Sequence, residues 1–190
     1  MRLFVAVELG AAVVDAAMEV VGELRRRGSR LAPRARVTWP AAERLHVTLV
    51  FIGRVDPARA AEILDALQPP FEGPPFQMRV TGLGVFAGRG APRVLWAGIG
   101  DGRERLVQLQ RDVAARLIRV GVAIDAGPFH PHVTLARVRE PAGLRVRAWL
   151  DGMDAVDLGV APVEAITLFE SRPSPRGSTY VVLGRTRVGR

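Results

Sequence analysis

Hydrophobic and polar positions along the chain follow two periods, which predict an alternation of strands and helices. Runs rich in β-branched and aromatic residues, bounded by Gly, Pro or charged residues, are typical of strands. They cover 2–9, 46–53, 76–87, 93–99, 132–138, 164–171 and 178–185. Apolar residues that recur every three to four positions indicate helices over 11–27, 57–68 and 101–120, with a short helix near 141–150.

Helix boundaries and turns follow from Gly and Pro. The first helix places one apolar face toward the core, formed by Val13, Ala17, Val20, Val21 and Leu24. Pro57 suits a first helical turn, Pro69 and Pro70 end that helix, and Gly121 ends the third. The Arg-rich stretch 27–40 predicts a loop. The segments GRGAP (88–92) and RPSPRG (172–177) predict hairpin turns.

The order of elements repeats along the chain: strand, helix, strand, helix, hairpin, then helix, strand, helix, hairpin. No linker-like segment separates the two parts, so we expect two related halves of one domain over 1–190. Hairpins outnumber helical crossovers. The pattern therefore predicts an α/β (α+β) fold with mostly antiparallel pairing.

Composition indicates a globular protein outside the membrane. The chain is 48% hydrophobic and 24% charged, enough apolar residue to form a core. No apolar run approaches the ~18 residues that span a bilayer. Glu8, Asp15 and Glu19 interrupt the N-terminal apolar stretch, unlike a signal peptide. We therefore expect a cytoplasmic protein.

The charged residues and the missing residue types exclude several classes of catalytic site. The net charge is +8, and all 27 residues counted as Lys or Arg are arginine. Without lysine the chain has no GK[ST] phosphate loop, Schiff-base lysine or lysyl-adenylate, and without cysteine it has no thiolate chemistry. The positive excess favours a polyanionic partner, although charge alone does not distinguish RNA, DNA and nucleotides.

One tetrapeptide, HVTL, occurs at 46–49 and again at 132–135. In a strand His46 and Thr48 share one face, as do His132 and Thr134, while the Val and Leu residues point to the core. Two imidazoles facing one cleft suit phosphodiester chemistry, in which one takes a proton and the other gives one. The three histidines of the chain all lie in or beside these motifs.

Three questions stay open from the residues alone. His130 shares strand parity with His132, although Pro131 between them favours a place for His130 at the rim. Three histidines could also hold Zn²⁺, or the chain could bind RNA or nucleotides without catalysis. The arginines at 25, 26, 27, 30, 34 and 36 suit either an RNA-binding rim or a solvated helix end.

With its paired motifs the chain resembles the two-histidine phosphoesterase superfamily, which carries two HXTX motifs. More narrowly it resembles the RNA 2′,3′-cyclic phosphodiesterases, also named 2′-5′ RNA ligases. The likeness runs almost end to end, through RLFVAVEL (2–9), LHVTLVFIG (45–53), GLGVF (82–86), RVLWAG (93–98), FHPHVTLAR (129–137), LFES (168–171) and GSTY (177–180).

The resemblance implies a bilobal, pseudo-two-fold fold with antiparallel sheets around a central cleft and helices outside. It also implies hydrolysis of RNA ends or nucleotides carrying a 2′,3′-cyclic phosphate, with possible reversible ligation and without metal or cofactor. By carry-over His46 is the general acid and His132 the general base, while Thr48 and Thr134 hold the phosphate. Arg137 assists, which requires a bulge because strict alternation turns it away from Thr134. A monomer suffices to form the cleft.

Overall fold

The chain alternates strands and helices in nearly the predicted order. The structure, a computed structural model, describes residues 1–88, 91–125, 127–175 and 177–189. Within these residues the elements are β1 (Arg2–Glu8), α1 (Ala11–Leu31), β2 (Arg36–Thr38), β3 (His46–Arg54), α2 (Pro57–Leu67), β4 (Phe76–Gly88), β5 (Ala91–Ile99), α3 (Arg103–Arg119), β6 (His132–Glu140), α4 (Val146–Leu150), β7 (Asp157–Val163), β8 (Ala165–Ser174) and β9 (Gly177–Arg187). Both predicted hairpins form, β4 with β5 and β8 with β9. Of their turns, Arg89, Gly90 and Arg176 lie outside the described residues.

One sheet contains every described strand, in the order β7-β4-β5-β6-β3-β1-β8-β9, with β2 paired to β6. All of these strand pairs are antiparallel, which confirms the predicted α+β class. The two strands that carry the HVTL motifs, β3 and β6, meet at the centre of the sheet, where Val47 pairs with Val133. Further along β6 the neighbouring strand is β2 in place of β3, and Thr38 pairs with Arg137.

The two halves of the sheet do not coincide with the two halves of the chain. One half is β9-β8-β1-β3 and the other is β6-β5-β4-β7. The β4–β5 hairpin follows the first motif in sequence but pairs with β6, the strand of the second motif. The β8–β9 hairpin follows the second motif but pairs with β1, the neighbour of β3. Each hairpin is therefore built into the half of the sheet that contains the other motif.

The core forms as the periodicity predicts. Val13, Ala17, Val21 and Leu24 of α1 are buried, and Val20 is half-buried. The motif residues expected to anchor the two central strands are buried as well, namely Val47, Leu49, Val133 and Leu135. Asp56 caps α2 by accepting the backbone N–H of Arg59 at 2.8 Å, with Pro57 in the first turn. Among the described helices, none has both the length and the apolar character needed to cross a bilayer.

The predicted loop over 27–40 is wrong in two places. Helix α1 continues to Leu31, because Gly28 lies against the ring of the fully buried Trp149 and this packing holds the last turn. Residues 36–38 then form β2, which is too short for its pattern to predict.

The structure also contains a strand that the pattern did not predict, β7. Gly159 and Pro162 argue against a strand in its sequence. Its place at the edge of the sheet tolerates a proline, because no further strand needs that N–H.

Candidate active site

The two histidines of the HVTL motifs face one cleft. Val47 and Val133 pair directly, so His46 and Thr48 on β3 lie beside His132 and Thr134 on β6, and all four side chains are half-buried. The cleft has a volume of about 600 Å³. Its lining combines these residues with arginines, aromatics and small polar residues: Arg2, Leu3, Phe4, Thr38, Trp39, Pro40, Arg44, His46, Thr48, Phe51, Gly53, His132, Thr134, Arg137, Arg139, Ser171, Gly177, Ser178 and Tyr180.

Hydrogen bonds orient the imidazole of His46. Its Nδ1 lies 2.8 Å from the backbone carbonyl oxygen of Arg44, so Nδ1 carries the hydrogen of the neutral ring. Nε2 is then the acceptor and receives a hydrogen bond from the hydroxyl of Thr48 at 2.9 Å. These two hydrogen bonds thus fix the tautomer of the ring and the direction of Nε2.

His132 is held in the same way. Its Nδ1 donates to the carbonyl oxygen of His130 at 2.6 Å, which leaves Nε2 as the acceptor on that ring. The side chain of His130 is exposed at the rim, 6.2 Å from the ring of Phe86. Its backbone therefore supports His132, while its side chain does not line the cleft.

Aromatic side chains surround both imidazoles. The ring of His46 lies 5.0 Å from Phe4 and 5.4 Å from Tyr180. The ring of His132 lies 4.9 Å edge-on to Phe86 and 6.4 Å from Trp96. These neighbours exclude water, and a low dielectric environment disfavours the charged form of histidine.

Burial accordingly lowers the pKa of both histidines. Desolvation lowers the pKa of His46 from 6.5 to about 4, against the opposing hydrogen bond to Arg44. Desolvation also lowers the pKa of His132, against the hydrogen bond to His130. The positive charge of Arg137 lowers both pKa values further. In the unliganded protein both rings are therefore neutral at pH 7.

A β-bulge brings Arg137 to the cleft. Trp96 pairs with Thr134 but Leu95 pairs with Ala136, so Leu135 is an extra residue in β6. Side chains past the bulge change face: Leu135 and Ala136 are both buried, and Arg137 is exposed in the cleft. The bulge that sequence reasoning required for Arg137 is present.

The same bulge occurs in β3 and exposes an aromatic residue that sequence reasoning missed. Val5 pairs with Val50 and Ala6 with Thr48, so Leu49 is the extra residue. Phe51 beyond it is 66% exposed and lines the cleft. The signal was available, because Phe51 and Arg137 each follow their histidine by the same interval.

The cleft is strongly cationic. Four arginines line it, namely Arg2, Arg44, Arg137 and Arg139. Within the described ranges no carboxylate lines the cleft, and none of the four guanidinium groups forms an ion pair. Unpaired guanidinium groups in a half-enclosed site are suited to phosphate.

The zinc interpretation is not favoured. In the part of the chain that the structure describes, no three His, Asp or Glu side chains are arranged to hold a metal ion. His130 turns toward Phe86, whereas His46 packs against Phe4 and Tyr180. His130 also does not line the cleft that His46 and His132 share.

Comparison with protein families gives one match that covers most of the chain. Residues 13–173 match the model of the family described as the 2′-5′ RNA ligase superfamily.

Relatives named RNA 2′,3′-cyclic phosphodiesterase are similar over nearly the whole chain. A Thermotoga maritima protein is 30% identical over 184 residues, covering 96% of this chain and 93% of its own length. A Thermus thermophilus protein is 35% identical over 194 residues, covering 96% of this chain and 88% of its own. A crystal structure of a Thermus thermophilus protein superposes with a TM-score of 0.80 at 29% identity, over 99% of this chain and 98% of that one.

Proposed function

This chain belongs to the 2′-5′ RNA ligase superfamily, and from that premise we propose that it is an RNA 2′,3′-cyclic phosphodiesterase. It opens a terminal 2′,3′-cyclic phosphate to a 2′-phosphate. One observation supports this above the others: two imidazoles of fixed tautomer share a cationic cleft, each with Nε2 as its acceptor. Acid–base catalysis of phosphoryl transfer requires such a pair.

The proposed step is balanced by two proton transfers. His132 takes a proton from water through Nε2, and the water oxygen forms a bond to phosphorus. The bond between phosphorus and the 3′ oxygen breaks, and protonated His46 donates its Nε2 proton to that oxygen. The phosphate remains on the 2′ oxygen, and a proton transfer from His132 to His46 through solvent restores the starting state.

The environment of His46 supports its role as the acid. An imidazole of low pKa is a strong proton donor once it is protonated. A bound phosphate anion favours imidazolium and so raises the pKa from its value in the unliganded cleft. Thr48 then donates its hydroxyl hydrogen to a phosphate oxygen, since its present acceptor, Nε2, becomes occupied by a proton.

Thr134 and Arg137 complete the phosphate site in this proposal. Thr134 corresponds to Thr48 on the second motif and lines the same cleft. The charge of Arg137 lowers the pKa of both imidazoles, and this nearness to the two rings supports a role for it at the phosphate. Charge developing on the phosphoryl oxygens is stabilised by such a preorganised guanidinium group.

The substrate is an RNA end or a ribonucleotide, since only a ribose carries the 2′ oxygen that closes the cyclic phosphate. The exposed ring of Phe51 offers a surface on which the terminal base can stack. When a 5′-hydroxyl replaces water, the same proton transfers join two RNA ends through a 2′-5′ linkage without ATP. Ligation at this site is thus the reverse of a transesterification that cleaves a 2′-5′ linkage.

We further infer one bilobal domain over residues 1–190, acting as a cytoplasmic monomer. Strands from both ends of the chain join a single sheet, and one chain supplies every described residue of the cleft. The absence of an acidic residue from the described lining fits a nucleic acid partner.

A product analysis tests the function. An oligonucleotide ending in a 2′,3′-cyclic phosphate is incubated with the protein, with and without a chelator, and the product isomer is identified. We expect a 2′-phosphate at equal rates in both conditions. A 3′-phosphate, or binding without turnover, would contradict the proposal. Activity lost to the chelator and restored by Zn²⁺ would instead support the zinc mechanism.

A further inference from the structure

A second groove adjoins the cleft on the far side of Trp39. It has a volume of about 400 Å³, and its lining includes Arg25, Ser29, Pro33, Val37 and Trp39. It lies at the end of α1, where the chain turns through 32–35 into β2. Trp39 lines both the groove and the cleft, so this residue lies between them.

The indole of Trp39 is held by the core rather than by the surface. Its ring lies 5.9 Å from that of Trp149 at an angle of 82°, an edge-to-face contact. Trp149 is fully buried, and its Nε1 donates to the carbonyl oxygen of Leu24 at 2.7 Å. Trp39 itself is half-buried and contributes surface to both cavities. A rigid aromatic ring of this kind loses little entropy when a base stacks on it.

The position of Trp39 follows from strand register. Strands β3 and β6 run antiparallel through Val47 and Val133, so Phe51 and Arg137 lie toward opposite ends of the cleft. Thr38 pairs with Arg137, and Trp39 follows Thr38. The cleft therefore has Phe51 at one end and Trp39 at the other, with the two histidines between them.

The charge around Trp39 is positive in both the cleft and the second groove. Arg137 and Arg139 line the cleft near Trp39, and Arg25 lines the second groove. Within the described residues none of these three arginines is in an ion pair, and no carboxylate lines either cavity. Cations interleaved with an aromatic ring are the usual binding surface for single-stranded nucleic acid.

We propose that Trp39 and the second groove bind the nucleotide that precedes the cyclic-phosphate end. Its base stacks on the indole, and its phosphodiester lies between Arg139 and Arg25. This inference rests on the proposed function and refines it: an RNA strand is a better substrate than a free mononucleotide. It also assigns Arg25 a role that separates it from Arg26 and Arg27, which pair with Glu23.

Two substrates that differ by one nucleotide test the proposal. These are adenosine 2′,3′-cyclic phosphate and adenylyl-(3′,5′)-adenosine 2′,3′-cyclic phosphate. The measured quantity is the kcat/KM of the dinucleotide divided by the kcat/KM of the mononucleotide. We expect the wild-type protein to favour the dinucleotide. Trp39→Ala should lower the ratio by about 5- to 150-fold, the range of base–aromatic stacking, and Trp39→Phe should lower it less.

Arg25→Ala provides an independent variant, because Arg25 lies outside the catalytic cleft. It should lower the ratio and reduce the salt dependence of dinucleotide binding, with a change in logarithmic slope of about 0.7 for one phosphate contact. Arg111→Ala is the matched control. Arg111 is exposed on α3 and lines neither cavity, so its loss removes the same charge and should leave the ratio unchanged.

An unchanged ratio in Trp39→Ala, or an equal loss on both substrates, would overturn the inference and leave the proposed function intact. If Trp39→Ala does not fold, Trp39→Phe and Trp39→Leu decide the question, and equal ratios in those two variants would overturn it. Failure of the wild-type protein to hydrolyse either substrate would overturn the proposed function itself, and the inference with it.

Discussion

Phe51 and Arg137 occupy equivalent positions in the two halves of the sheet. Each follows a bulge at the Leu of its motif, and each reaches the same cleft from the opposite wall. The two-fold relation between the halves therefore preserves the histidines and threonines but places an aromatic ring at one end and a cation at the other. That difference gives the cleft a direction, which a nucleotide with a base and a phosphate can follow.

The two motif histidines should be individually essential. Loss of one acid–base group lowers turnover by about 10²–10⁴, so His46→Ala and His132→Ala should each fall in this range. His130→Ala is the control, since that residue supports the site through its backbone carbonyl. Turnover is measured on a nucleoside 2′,3′-cyclic phosphate, with thermal unfolding as the check on folding. Near-normal rates in either motif variant would refute the assignment.

Arg137 should act on the phosphate through its charge and its planar geometry. A charge-assisted hydrogen bond contributes about 1.5–3 kcal/mol, so Arg137→Ala should lower kcat/KM by about 10- to 150-fold. Arg137→Lys should recover part of the loss, since lysine keeps the charge but not the fork of donors. Arg111→Ala again serves as the charge control. If alanine and lysine variants both retain full kcat/KM, Arg137 has no part in the reaction.

The pH dependence of kcat/KM should reflect the lowered pKa values. One imidazole must be neutral and the other protonated, so the rate falls on both sides of an optimum. Burial lowers the pKa of His46 to about 4 and lowers that of His132 below 6.5, which places the kcat/KM optimum below pH 6.5. Bound phosphate raises both pKa values, so the optimum for kcat should lie at higher pH. A flat profile between pH 5 and 9 would contradict paired acid–base catalysis.

Phe51 should affect substrate affinity rather than stability. Its ring is 66% exposed, so Phe51→Ala removes little buried surface and should shift the unfolding temperature only slightly. Loss of a stacked base should raise KM by about 5- to 150-fold, while Phe51→Trp should keep it near the wild-type value. Ile118→Ala on α3 is a matched change at an exposed apolar residue, 57% accessible, away from the cleft. An unaltered KM in Phe51→Ala would show that the base binds elsewhere.

Gly84 should be required for the support of His132. A Cβ at this position would lie 2.1 Å from the ring of Trp96, which packs beside His132. Gly84→Ala should therefore displace the indole, destabilise the fold by about 1–3 kcal/mol and lower turnover. Gly22→Ala is the contrasting change, because its nearest neighbour lies 3.6 Å away and alanine favours a helix interior by about 1 kcal/mol. Denaturant unfolding of both variants measures the difference, and an unchanged stability in Gly84→Ala would contradict the packing argument.

Local pattern was sufficient to predict most elements and the two motifs, because strand alternation and helical periodicity act within a few residues. It could not predict β2, because three residues are too few to show alternation. It could not predict β7 either, because Gly159 and Pro162 are unfavourable in a strand. Both form because a neighbouring strand, β6 or β4, offers a free edge. The bulge at Leu135 was required for Arg137, yet the equal bulge at Leu49 and its effect on Phe51 went unrecognised. The aromatic surroundings of the histidines depend on β1, β4, β5 and β9, which only the tertiary fold brings together.

The exchange of hairpins between the two halves has a consequence for synthesis of the protein. By residue 135 a growing chain already contains both motifs, but Phe169 and Tyr180 beside Phe4 and His46 belong to the last hairpin. Until that hairpin pairs with β1, His46 lacks the aromatic wall that Phe169 and Tyr180 form beside it. A nascent chain therefore carries both motif histidines before the strands that enclose His46 have been made.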